Sequence, residues 1–214
     1  TGLILRNSSL RCMPSYALRL VCTFYKAGYK DTARELFNLS YPSFMSKRLD
    51  KQEKNRNRAG YDIDDWTGIV LNWAHAAACF YPWRDVNEYI QQFVRQIKLF
   101  EGFYKTPYKE KFDWKDYQSS IIKEFGAGLV EVKNWSGLEG FVLENLSAKK
   151  DARLAFHVWI EAILALQDER GTENNGGDED LISRYYTYMT STFNRFKEKE
   201  RPWLSMANMS RRLG

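Results

Sequence analysis

The sequence predicts an all-α fold, a single compact domain over 1–214 with at least seven helical segments and little or no strand. Two observations carry that expectation. Residues 153–166, RLAFHVWIEAILAL, hold three polar side chains, Arg153, His157 and Glu161, each four residues from the next. On a helix they form one narrow stripe, and the rest of the circumference is apolar. Residues 85–103 place Val86, Tyr89, Ile90, Phe93, Val94, Ile97 and Phe100 at the 3.6-residue period, whereas sustained strand-type alternation is nearly absent.

Taken in order, 14–27 carries Ala17, Leu18, Val21, Cys22 and Tyr25 at helical spacing behind Pro14, which suits a first turn. Gly28 ends that helix, Asp31 is placed to cap the next, and Ala33, Leu36 and Phe37 supply its apolar face, giving a hairpin over 14–39. The fragment YKAGYKDTARELF resembles the turn of tetratricopeptide and pentatricopeptide hairpins; the resemblance spans roughly 25 residues, has no second copy in the chain, and implies a helical hairpin without a repeat array. Residues 43–58 read as a polar helix. From Asp62 the stripe Trp66, Ile69, Val70, Trp73, Ala77 and Phe80 predicts a helix that Pro82 stops, packed antiparallel on 85–103. Residues 104–116 read as a surface loop and 117–125 as a helix broken by Gly126-Ala127-Gly128. A short strand is expected over 129–135, a short helix over 137–146, and Ser147 as the cap of the 153–166 helix. The stretch 171–180, GTENNGGDED, reads as an acidic loop before a last helix over 181–199 and a mobile tail over 203–214.

Thirty-two basic and 27 acidic residues give a net charge of +5, mild for a nucleic-acid binder, so clustering decides. Lys47, Lys51, Lys54 and Arg58 fall at i, i+4, i+7 and i+11, one helix face about 16 Å long flanked by Arg48 and Arg56. A second cluster, Lys105, Lys109, Lys111 and Lys115, alternates with rings including Tyr108 and Trp114, the cation and stacking chemistry that single-stranded nucleic acid uses. Three cysteines, Cys12, Cys22 and Cys79, cannot all pair, which suits a reducing, intracellular compartment. Five Asn-x-Ser sequons, at Asn7, Asn38, Asn134, Asn145 and Asn208, keep the secretory pathway open. No apolar run has the length of a membrane span.

Catalytic and metal signatures are weaker. The stripe of Arg153, His157 and Glu161, extended by Lys150 and Asp168, reads as the wet face of a core helix. It resembles the Arg and His pair of the HEPN ribonuclease family, but with three residues between them where that motif has four to six. His75 and Cys79 are i, i+4, a spacing that suits zinc, with Cys12 or Cys22 able to complete a site; their neighbours Ala76, Ala77 and Ala78 favour a core position, so no metal or cofactor is expected. Asp62, Asp64 and Asp65 read as helix-start residues. The leading expectation is a non-enzymatic domain that binds the backbone of RNA or single-stranded DNA within a larger nucleoprotein assembly of other protein subunits. The alternatives are an adaptor that binds an acidic protein and a helical hydrolase using His157 and Glu161.

Overall fold

The computed structural model describes residues 14–40, 63–92, 114–147, 152–170 and 177–196. They are helical with short turns, and among the described residues there is no strand. The basic segment 43–58 and the tail 203–214 lie outside the described residues. The chain divides into two compact units, Thr1–Lys133 and Asn134–Gly214.

In the first unit α1 (Pro14–Lys26) and α2 (Lys30–Ser40) form the expected hairpin. Gly28 turns the chain with φ +85, a conformation that disfavours any Cβ, while its N–H donates to the Tyr25 carbonyl and the Tyr29 N–H to that of Phe24. Asp31 lies inside the first turn of α2 rather than before it, where its charge still complements the helix dipole. The hairpin buries Ala17, Leu18, Val21 and Cys22 against Ala33, Leu36 and Phe37. The Phe37 ring meets Trp73 at 5.9 Å and Phe80 at 5.5 Å, which ties the hairpin to the next helix.

That helix, α3 (Ile63–Ala77), buries Ile69, Val70, Trp73, Ala74, Ala76 and Ala77, so it is covered on more than one side. Asp64 and Asp65 fall in its first turn, as helix-start residues should. After Pro82 the chain is helical again over 83–92 (α4), two residues earlier than the pattern predicted, with Trp83, Val86 and Ile90 buried. The largest described interface of α3 is with α5 (Trp114–Glu131).

Helix α5 corrects the sequence reading at three points. It starts at Trp114, inside the segment expected to be loop, it runs through Gly126-Ala127-Gly128 without a break, and it takes in 129–131 of the expected strand. Tyr117, Ile121, Phe125 and Leu129 are buried at four-residue intervals, a helical stripe that spans the glycines. Gly128 is there for contact: a Cβ built on it would stand 2.3 Å from the His75 carbonyl oxygen and 2.9 Å from the Ala78 Cβ. Local propensity disfavours glycine by about 1 kcal/mol, and close packing of two helices outweighs it.

The second unit opens at Asn134, whose side chain accepts from the Gly137 N–H at 3.0 Å and caps α6 (Trp135–Phe141). A π-helical turn, Val142–Ser147, follows, then α7 (Ala152–Arg170) and α8 (Gly177–Phe196). Ser147 therefore ends the π turn instead of capping α7. Gly177–Asp180 belong to α8, not to a loop, since acidic residues at a helix start are favoured by its dipole. As expected, α7 is the core: Leu154, Phe156, Trp159, Ile163 and Leu166 are buried, and Arg153 and Glu161 are exposed. Trp159 meets Tyr185 and Tyr188 of α8 with ring centroids 5.0 and 5.2 Å apart.

Candidate metal centre

Three helices of the first unit converge on His75. Gly128 lets α5 lie against the α3 backbone at this residue, and Glu124 and Glu131, seven residues apart, share the α5 face on which Gly128 sits. The two carboxylates thus flank one imidazole. His75 Nδ1 is 3.2 Å from Glu124 Oε2, and Nε2 is 2.7 Å from Glu131 Oε2. From α1, Cys22 brings its sulfur to the same place, so that one donor atom each of Cys22, His75 and Glu131 lies within 4.8 Å of the others.

Each of the three has a further partner. Cys22 Sγ is 3.6 Å from Cys79 Sγ, and both thiols are free and buried. Glu124 holds the far side of the imidazole ring. Lys26, one turn beyond Cys22 on α1, stands 3.8 Å from Glu131 Oε1, which leaves Oε2 turned toward His75.

Burial opposes a charge on His75, but hydrogen bonds with Cys22, Glu124 and Glu131 outweigh it and push the imidazole up to about 11. The hydrogen bond from His75 holds the Glu131 carboxyl below the usual carboxylate range against its burial, with the charges of His75 and Lys26 helping. The bond to Cys79 and then burial raise the Cys22 thiol well above its ordinary value, with His75 pulling the other way. These shifts favour a protonated Cys22 thiol and a protonated His75 ring between the Glu124 and Glu131 carboxylates.

Sulfur, imidazole nitrogen and carboxylate oxygen together form a borderline-soft donor set suited to zinc. Tetrahedral zinc with bonds of about 2.0–2.3 Å sets its ligands roughly 3.3–3.7 Å apart, so an ion would have to part His75 Nε2 and Glu131 Oε2, now hydrogen-bonded at 2.7 Å, and take the Cys22 sulfur from within 4.8 Å. A pocket of about 440 Å³ opens on the centre, lined by Arg19 of α1, Gly68, Asn72 and His75 of α3, and Glu124 and Glu131 of α5.

The sequence pointed at part of this. The sequence marks His75 and Cys79 as a zinc-compatible i, i+4 pair that Cys12 or Cys22 could complete, and Ala76, Ala77 and Ala78 weigh it toward a core position; the structure brings His75 together with Cys22, and Cys79 behind it. Glu124 and Glu131 were missed, although Glu124, Gly128 and Glu131 at i, i+4 and i+7 mark one face once the segment is read as unbroken helix. Of the predicted nucleic-acid contacts, Lys47, Arg48, Lys51, Lys54, Arg56, Arg58, Lys105, Tyr108, Lys109 and Lys111 lie outside the described residues, and Trp114 and Lys115 open α5. In the second unit His157 is half-buried on α7 one turn from the exposed Glu161. No helix among the described residues is long and apolar enough to cross a membrane. No protein-family model matches the chain, nor does any curated protein or solved structure.

Proposed function

We propose that this chain is a zinc-binding helical protein whose first unit holds one ion through Cys22 Sγ, a ring nitrogen of His75 and the Glu131 carboxylate. One observation carries the proposal: sulfur, nitrogen and oxygen donors from three helices meet within 4.8 Å. The outer partners support it. A metal-bound imidazole normally donates its other N–H to a carboxylate, the relation Glu124 has to His75, and such partners raise ligand basicity and fix orientation. Three protein ligands also leave a tetrahedral ion with one open position. The test is zinc content after exhaustive dialysis of the full chain. About one equivalent is expected for the wild type, with the metal lost from Cys22→Ala and Glu131→Gln at unchanged helix content. Less than about a tenth of an equivalent in the wild type would overturn the proposal and leave a His–carboxylate network that braces three helices.

A second reading rests on the one-sided cation spacing of Lys47, Lys51, Lys54 and Arg58, which suits a track of phosphates. It makes the chain a binder of RNA or single-stranded DNA as well. Anisotropy of a labelled poly-U oligomer should then show a salt slope of about −3 and lose binding when all four become Glu; no wild-type binding at about 50 mM salt would overturn it.

A further inference from the structure

Resting on the zinc reading, a further proposal concerns the pocket beside the centre, on which the open coordination position would face. We infer that it is the seat of a small oxyanion, a carboxylate or phosphate, which places one oxygen on the metal and another on the guanidinium of Arg19.

The pocket of about 440 Å³ falls within the size range of small-molecule sites and reaches His75 and Glu131 directly. Arg19 is exposed at its edge, and its Nε donates to Asn72 Oδ1 at 3.5 Å. Asn72 lies one turn before His75 on α3, so this bond ties the guanidinium to the helix that carries the metal-binding imidazole. Used through Nε, the guanidinium keeps both terminal nitrogens to donate, the fork that matches two oxygens of a carboxylate or phosphate. No described carboxylate forms an ion pair with Arg19.

Charge assigns the role to the same residue. A divalent ion with the Cys22 thiolate and the Glu131 carboxylate sums to zero, and the Glu124 carboxylate, which takes the His75 ring N–H and also lines the pocket, is offset by Lys26 beside Glu131. The attraction for an anion therefore comes from Arg19. Gly68 completes the shape. It is two turns from His75 on α3, it lines the pocket, and a Cβ built on it would meet nothing within 4 Å. Space for the anion is left where a larger side chain would fill it.

The experiment uses the full chain loaded with one equivalent of Co²⁺, whose visible absorption reports ligand number and identity. Inorganic phosphate and acetate are titrated separately, so the two arms distinguish the oxyanion classes. At least one anion should change the spectrum saturably. Arg19→Gln should weaken that anion roughly ten-fold without altering Co²⁺ affinity. Gly68→Leu, which touches no ligand, should abolish the response and keep the cobalt spectrum. A cobalt spectrum indifferent to both anions at about 50 mM would overturn the inference and leave the metal site standing, as would an Arg19→Gln protein that responds like wild type. Absence of any Co²⁺ spectrum, with no zinc bound either, would remove the metal reading itself and this inference with it.

Discussion

At His75, the side chain's chemistry is set by what three helices bring to it. A metal must displace the proton of the Cys22 thiol and one proton of the His75 imidazolium, because both groups are held above their ordinary values in the metal-free centre. Zinc uptake near neutral pH is therefore expected to release about two protons and to strengthen as pH rises, measured as the buffer-dependent enthalpy of titration; release of none would contradict it. The two glycines of the region are expected to respond oppositely to the same change. Gly128→Ala drives a Cβ into the His75 carbonyl and should cost about 2–3 kcal/mol in urea unfolding. Gly68→Ala meets open space on a helix and should gain about 0.5–1 kcal/mol. The sequence does not show this difference, since it reads Gly128 as part of a helix break and Gly68 as an ordinary position inside a helix, and what separates them is the contact of Gly128 with His75, far away in the chain.

For whole helices, periodicity made most of the fold legible. The α1–α2 hairpin and α7 follow from apolar spacing, since each buries one continuous face. The failures came where composition stood in for periodicity. Gly126-Ala127-Gly128 looked like an interruption and Gly177–Asp180 like a loop, yet the first is covered by α3 and the second opens a helix with acidic residues. In α7, Trp159 is fully buried against Tyr185 and Tyr188, but its indole N–H has no hydrogen-bond partner among the described residues. Trp159→Ala should cost about 3–5 kcal/mol, and Trp159→Phe distinctly less, because it also removes an unpaired buried donor. Equal losses for the two substitutions, read from denaturant midpoints, would contradict this.

Over the whole chain, the proposed metal centre draws on α1, α3 and α5 of the first unit, whereas α7, the helix most conspicuous in the sequence, belongs to the second. Part of the centre is legible in the sequence, where the i, i+4 spacing of His75 and Cys79 marks the place and Cys22 is one of two cysteines that could join it. The carboxylates are not, because Glu124 and Glu131 share a face only when the helix runs unbroken through Gly126-Ala127-Gly128, and they reach His75 from 49 and 56 residues away. Zinc at a hundred times its dissociation constant should raise the unfolding free energy by about 2.7 kcal/mol, and a chelator should remove that gain. Zinc-edge X-ray absorption of the zinc-loaded chain tests the central claim most directly. One sulfur near 2.3 Å and nitrogen or oxygen neighbours at about 2.0–2.1 Å are expected. A shell without sulfur would contradict the centre described here, and one with two sulfurs would make Cys79 a ligand and close the position assigned to the oxyanion.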